Sequence, residues 1–235
     1  MTLNTNQTVR EIAIQNPASV RIFEQLGIDY CCGGRRPLSE ACEKAGVPLE
    51  KAIGMLAALE AAEVPRQEWT SLRDLISHIV TNHHAYVRSE IPRLTALAAK
   101  VARKHGPLHP ELLAIEETFT ALAEELTAHL MKEESILFPY IGQMEAGVAP
   151  TSCFGSVEFP IARMLAEHDD AGALTAQIRS YAKNFEAPEG ACPSYRGLYQ
   201  GLADFEKDLH QHIHLENNLL FPRAVEMEKK SACHA

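Results

Sequence analysis

Aromatic side chains are scarce in this chain of 235 residues, at 6%. So small a share does not supply the cross-strand packing of a large all-β core. No run of 18 apolar residues occurs, so no helix is expected to span a bilayer. The opening stretch, MTLNTNQTVR, lacks the apolar core of a secretory signal, and a cytoplasmic protein is expected. Basic runs are also missing. Lys and Arg number 22 against 31 Asp and Glu, a net charge of −9, which excludes nucleic acid and anionic membrane as natural partners. Six cysteines are too few for a disulfide scaffold at this length and fit a reducing compartment. What remains is ordinary globular material, 46% hydrophobic and 23% charged. It suffices for one large domain, or a medium domain with a small one.

The patterning divides the chain in two. Residues 1–62 read as a small helical domain. Thr8 and Glu11 form a capping-box pattern, Pro17 restarts the chain, and a second short helix stops at Gly27. Ile28 to Gly34 is a loop by its glycines, and it carries the adjacent pair Cys31-Cys32. Two more helices are expected near 38–45 and 48–60, followed by a Pro65-containing linker over 63–68. Residues 71–230 read as four long helices, near 71–104, 110–145, 156–185 and 194–229. No strand pattern competes with their 3.6-residue periodicity. Short connections make this an all-α protein whose main part is an up-down four-helix bundle.

An internal repeat lies inside the bundle. His129, Glu133, Leu137, Phe138 and Pro139 recur as His212, Glu216, Leu220, Phe221 and Pro222, at an offset of 83. In the preceding helices His84 and His168 repeat at 84. The bundle therefore reads as two related hairpins, each offering a His and then H-x-x-x-E. These groups fall on apolar stripes: Phe119, Leu122, Leu126, His129, Glu133, Ile136 and Tyr140 on one helix, and Leu198 through Glu216 to Leu219 on another. Ile76, Val80, His84 and Val87 form a third stripe, and Ile161, Leu165 and His168 a fourth. A bundle turns such stripes inward. Each His also lies about 20 residues, roughly 30 Å of helix, from its hairpin turn, so antiparallel packing brings all four into one layer.

Imidazoles and carboxylates in a dry layer need a partner, because burying them unpaired costs several kcal/mol each. A metal supplies it. Four imidazoles (His84, His129, His168, His212) and two carboxylates (Glu133, Glu216) suit two ions, with two imidazoles on each and the carboxylates bridging. The mixed N/O set points to a di-iron centre with oxo and carboxylate bridges. The ferritin-type Glu-x-x-His pattern is absent. His83 could take the place of His84 if the helix phase differs. His210 and His214 face away from His212, His105 is too far along its helix, and Glu167 and Asp169, which flank His168, could support the site from outside but are expected as solvated charges.

On these residues the bundle resembles hemerythrin-like domains. The whole chain resembles the iron–sulfur-cluster repair di-iron proteins, also described as regulators of cell morphogenesis and nitric oxide signalling, which join a Cys-Cys-Gly-Gly domain to such a bundle. Here that loop is Cys31-Cys32-Gly33-Gly34, and the likeness spans essentially the full length. It implies a bacterial cytoplasmic non-haem di-iron protein that restores iron–sulfur clusters damaged by nitric oxide or oxidative stress. Its six ligand positions match those identified above. The oxygen carriers of the hemerythrin class have H-x-x-x-H on the third helix, where this chain has Gly172 four residues after His168. One imidazole fewer implies an open coordination position and favours binding of nitric oxide or release of iron over reversible oxygen storage.

Cys31 and Cys32 are too close in sequence for an unstrained disulfide, since adjacent Cα atoms lie about 3.8 Å apart. A thiol pair can instead bind soft metal or react with a partner thiol, and the resemblance favours a functional role. Iron donation to apo or damaged iron–sulfur proteins is the leading expectation. Binding or reduction of nitric oxide is the alternative, and a homodimer is compatible with the two-domain layout. Cys42, Cys153, Cys192 and Cys233 read as incidental.

Overall fold

The computed structural model describes residues 7–60, 69–148 and 155–232. The expected linker over 63–68, Cys153 and Cys233 lie outside them. Regular structure among the described residues is helical, apart from one isolated bridge between Thr8 and Pro37. Four short helices come first: α1 (Val9–Gln15), α2 (Ser19–Leu26), α3 (Leu38–Ala45) and α4 (Leu49–Glu60). Thr8 caps α1 in a reciprocal box with Glu11. Gly27 and Gly46 end α2 and α3 in the left-handed conformation, with φ of 66° at each, which glycine adopts without a Cβ penalty. Val9, Phe23, Leu38 and Ala52 bury the apolar faces of these four helices in a core of their own.

The four long helices follow. α5 runs as Leu72–His78, Ile79–His84 and Ala85–His105; α6 as Glu111–Lys132, Glu133–Leu137 and Phe138–Glu145. α7 is Glu158–Tyr181, and α8 runs as Pro193–Leu215, Glu216–Leu220 and Phe221–Ala232. Each packs on its sequence neighbour, and α8 closes the ring against α5. Two apolar clusters fill the interior. One holds Leu94, Phe119, Leu126 and Phe205; the other holds Leu75, Leu137, Ile161 and Leu220. Between them lies the layer of buried His and Glu.

The middle segment of α5, α6 and α8 is a π turn. Each π turn takes one extra residue and rotates everything beyond it. This alters the expected stripes. Ile136 is 52% exposed and Leu137 takes its place in the core at 1%. Leu220 is buried where Leu219 was expected, and Leu75 and Ile79 are buried where Ile76 and Val80 were expected. Uninterrupted 3.6-residue periodicity cannot reveal such an insertion. α7 carries no π turn and ends at Tyr181 rather than near 185, because Lys183, Asn184 and Phe185 are left-handed, with φ of 50°, 57° and 63°. The Arg179 guanidinium, 5.2 Å from the Phe185 ring centroid, helps to hold that corner.

The small domain docks on α7 and α8 of its own chain. The side chain of Asn218 donates to the Tyr30 carbonyl at 3.1 Å, and Arg10 donates to the Asn218 carbonyl at 3.0 Å. The Tyr30 ring meets His214 edge-on, with centroids 5.4 Å apart. Cys31 is buried in the same apolar cluster as Leu126 and Ile213 of the bundle.

Candidate metal centre

His84, His129, His168, His212, Glu133 and Glu216 converge in the buried layer, each at 3% exposure or less. They form two overlapping sets, His84/Glu133/His212/Glu216 and His129/Glu133/His168/Glu216, and the donor atoms within each set lie within 4.8 Å of one another. Nε2 of His84 and His212 are 3.1 Å apart, and those of His129 and His168 are 3.0 Å apart. The oxygens of each carboxylate divide between the two histidine pairs. Glu133 turns Oε2 toward His84 at 3.5 Å and Oε1 toward His129 at 3.4 Å. Glu216 turns Oε1 toward His212 and Oε2 toward His168, both at 3.1 Å. The π turns permit this, because Glu133 and Glu216 each open one.

All four of these oxygens are buried without a hydrogen-bond partner. Unsatisfied buried carboxylates are expensive, and no Lys or Arg forms an ion pair with them among the described residues. Two cations, each taking two imidazole nitrogens and oxygens from both carboxylates, fit this donor set.

The outer edges of three of the four histidines are tied down, while His212 Nδ1 is buried without a hydrogen-bond partner. His84 Nδ1 lies 2.6 Å from Glu134, His129 Nδ1 2.8 Å from Glu167, and His168 Nδ1 2.7 Å from the side-chain Oδ1 of Asn217. Each oxygen accepts from an Nδ1–H, which leaves the Nε2 lone pair free for the interior. Burial disfavours charge on His129, but Glu133, Glu216 and Glu167 together raise its pKa to about 9. Burial likewise opposes charge on His84, and Glu216 and Glu133 reverse it, whereas His212 is lowered by burial. Glu216 is pulled well below the carboxylate range, against its burial, by His212 and His168. Burial would also raise Glu167, yet Lys132, His129 and Arg163 bring it down to about 2. The field of the layer thus suits positive charge at its centre.

Of the two readings open for Glu167, the structure supports the outer partner over the solvated charge, since its carboxylate orients His129 of the layer. Glu134 and Asn217 were not singled out in the sequence. Each directly follows a carboxylate of the repeat, and that adjacency is the only signal they offered. His83 stays outside both sets. Its Nδ1 pairs with Asp208 at 2.9 Å and its ring stacks on His212, with centroids 5.8 Å apart. His210 and His214 face the small domain, and His105 meets Cys192 at 3.3 Å, on a part of α5 remote from the layer.

The thiol loop lies against this centre. The Asp29 carboxylate accepts from the backbone N–H of Cys31, Cys32 and Gly33 at 3.1, 3.0 and 2.9 Å, and from the Cys31 thiol at 3.4 Å. A Cβ on Gly33 would lie 2.7 Å from Asp29 Oδ2, and one on Gly34 2.6 Å from the Tyr30 carbonyl oxygen; both glycines are there for close approach. The two sulfurs are free thiols 3.8 Å apart. Cys32 Sγ is 3.6 Å from the His168 carbonyl oxygen and sits over Gly172, where a Cβ would be 3.7 Å away. The thiol loop therefore packs on this helix at the position four residues after His168.

Fold and site together define a helical cation-binding bundle joined to a thiol-bearing domain. The comparisons agree. Residues 75–224 match the Hemerythrin HHE cation binding domain, and residues 5–62 match ScdA_N, described as a domain of unknown function (DUF542). Across 227 residues the chain is 39% identical to the iron-sulfur cluster repair protein YtfE of Yersinia pseudotuberculosis, covering 95% of this chain and 98% of the relative. It is 38% identical over 226 residues to the protein of that name from Pectobacterium atrosepticum. The chain belongs to the hemerythrin HHE family and, within it, to the two-domain YtfE family.

Proposed function

We propose that this protein is a non-haem di-iron protein of the bacterial cytoplasm. It supplies iron to iron–sulfur proteins whose clusters nitric oxide or oxidative stress has damaged. The observation that carries the reading is the division of the Glu133 and Glu216 oxygens between two histidine pairs, directly beneath a thiol loop. The names of the relatives support the client class. Imidazole with carboxylate is a borderline donor set that suits iron. Iron held there supplies a redox-active, exchangeable metal.

The chain's own groups do the rest. Glu133 and Glu216 would serve both metal positions, while Glu134, Glu167 and Asn217 keep the Nε2 atoms of His84, His129 and His168 turned inward. Four protein residues per ion leave room for small ligands, which favours a second reading as a nitric oxide-binding or nitric oxide-reducing protein. Cys31 and Cys32 are the proposed functional thiols, a way station for iron between bundle and client. The hydrogen bond with Cys32 and burial, with Asp29 adding to them, push the Cys31 thiol pKa up and keep it protonated, which leaves Cys32 as the accessible sulfur.

The test uses full-length protein loaded with isotopic iron and mixed anaerobically with an apo [4Fe–4S] hydratase. Isotope should enter the hydratase faster than from free ferrous iron at equal concentration. Cys31→Ser/Cys32→Ser should slow transfer without lowering iron content. No transfer beyond the free-iron control overturns the donor reading. Catalytic nitrous oxide formation in the same preparation would establish the second.

A further inference from the structure

The docked domains enclose a cleft of about 1200 Å³, with Cys32 in its wall and Gly172, Ala173, Ala176 and Ala203 forming a smooth side along the bundle. Its acids are largely committed. Glu206 is buried and paired with Arg179, whose Nε lies 3.1 Å away. Glu24 accepts from the Tyr30 hydroxyl at 3.0 Å and Gln211 at 3.2 Å, and pairs with Lys207 at 3.5 Å. Asp29 is occupied by the thiol loop. Arg21, Arg36 and Lys44 also line the cleft, with no carboxylate at ion-pair distance among the described residues, against two exposed acids, Asp29 and Asp169. A protein of net charge −9 thus carries, among the unpaired groups of this cleft, an excess of one cationic side chain, three against two, beside its accessible thiol.

Guanidinium groups and ammonium select carboxylates, and a thiol selects a sulfur partner. The cleft exceeds the roughly 300–1,000 Å³ usual for small-ligand sites, so it has room for more than a single amino acid. We propose that it binds a low-mass anionic disulfide of the γ-glutamyl tripeptide kind, with which Cys32 exchanges. The Cys32 thiolate attacks one sulfur of the ligand. The ligand's S–S bond breaks as the Cys32–tripeptide S–S bond forms. The other tripeptide leaves as a thiolate and takes up the proton that Cys32 gave up. Cys32 is oxidised and half of the ligand is reduced, so no further oxidant is needed. The adduct would cover the thiol loop where it meets His168 and Gly172. None of this requires an ion in the bundle.

The experiment compares oxidised glutathione, which is anionic, with cystamine, a cationic disulfide. Full-length protein is sampled by intact mass and peptide mapping. Oxidised glutathione should modify Cys32 at least about tenfold faster than cystamine at low salt, and the preference should shrink as salt screens it. Arg21→Glu/Arg36→Glu should reverse the preference, and Cys32→Ser should abolish the adduct at this site, with far-ultraviolet circular dichroism confirming the fold of both. Equal rates for the two probes on wild-type protein overturn the proposal, as does modification of Cys42 or Cys192 with Cys32 untouched. The wild-type comparison decides even where a variant fails to fold.

Discussion

Replacing Glu167 by Ala removes the acceptor that fixes His129. In the native structure the carboxylate lies 2.8 Å from His129 Nδ1 and is also held by Lys132 and Arg163. Without it, His129 can carry its proton on Nε2, the atom that faces the interior. Loss of such an outer partner costs about 10–100-fold in metal affinity, or about 1.4–2.8 kcal/mol. The geometry adds a sharper expectation. Glu167 serves the His129/His168 set, whereas Glu134 serves the His84/His212 set. Glu167→Ala should therefore loosen one ion and leave the other nearly as tight. Chelator competition on Co(II)-loaded protein, read by visible absorption, should show two release phases. The first should shift by about 10–100-fold and the second should stay near the wild-type position. Glu134→Ala should give the mirror result at the other ion, and Glu167→Gln, which keeps an acceptor, should fall between. A single release phase at the wild-type chelator concentration, in variants of unchanged helicity, would refute the reasoning.

Leu137→Ala should cost about 2–5 kcal/mol and Ile136→Ala about 0.5 kcal/mol or less; urea unfolding that ranks them the other way would show that the turn at Glu133 is not π. Glu228 accepts from Tyr140 at 2.9 Å, Ser156 at 2.6 Å and the Val157 N–H at 2.9 Å, so Glu228→Ala should cost about 1–2 kcal/mol. Burial works to raise Glu228, but those bonds hold its carboxyl below the ordinary range. Its stabilisation is therefore present above about pH 4.5 and fades as pH falls through the native value, so wild type and variant should converge in acid melts. Gly172→Leu should push Cys32 out of its seat and speed its alkylation, while the helix gains somewhat less than the about 0.8–1 kcal/mol of propensity that separates glycine from alanine. Unchanged alkylation would mean that Gly172 does not control docking.

The helices of both halves were legible because caps, glycine stops and apolar spacing are local. Thr8 with Glu11 and the glycines at 27 and 46 each decide a boundary by backbone chemistry alone. The six candidate donors were legible for a different reason. A repeat of His and Glu on faces that must be dry carries its own physical contradiction, which a bound cation would resolve. The outer partners were less legible. Glu134, Glu167 and Asn217 are polar residues next to other polar residues, and only the crossing of α5, α6, α7 and α8 aims them at a ring nitrogen.

By itself, then, the sequence determined the helices, the pairing of two hairpins and the identity of the buried donors, because periodicity and burial cost are properties of each segment. The tertiary structure decided what depends on where segments meet. It inserted π turns that move Leu137 and Leu220 into the core in place of Ile136 and Leu219. It assigned one oxygen of each carboxylate to each histidine pair. It also seated Cys32 on Gly172, 136 residues from its contact at His168, because Asn218, Tyr30 and Arg10 lock the small domain onto the bundle.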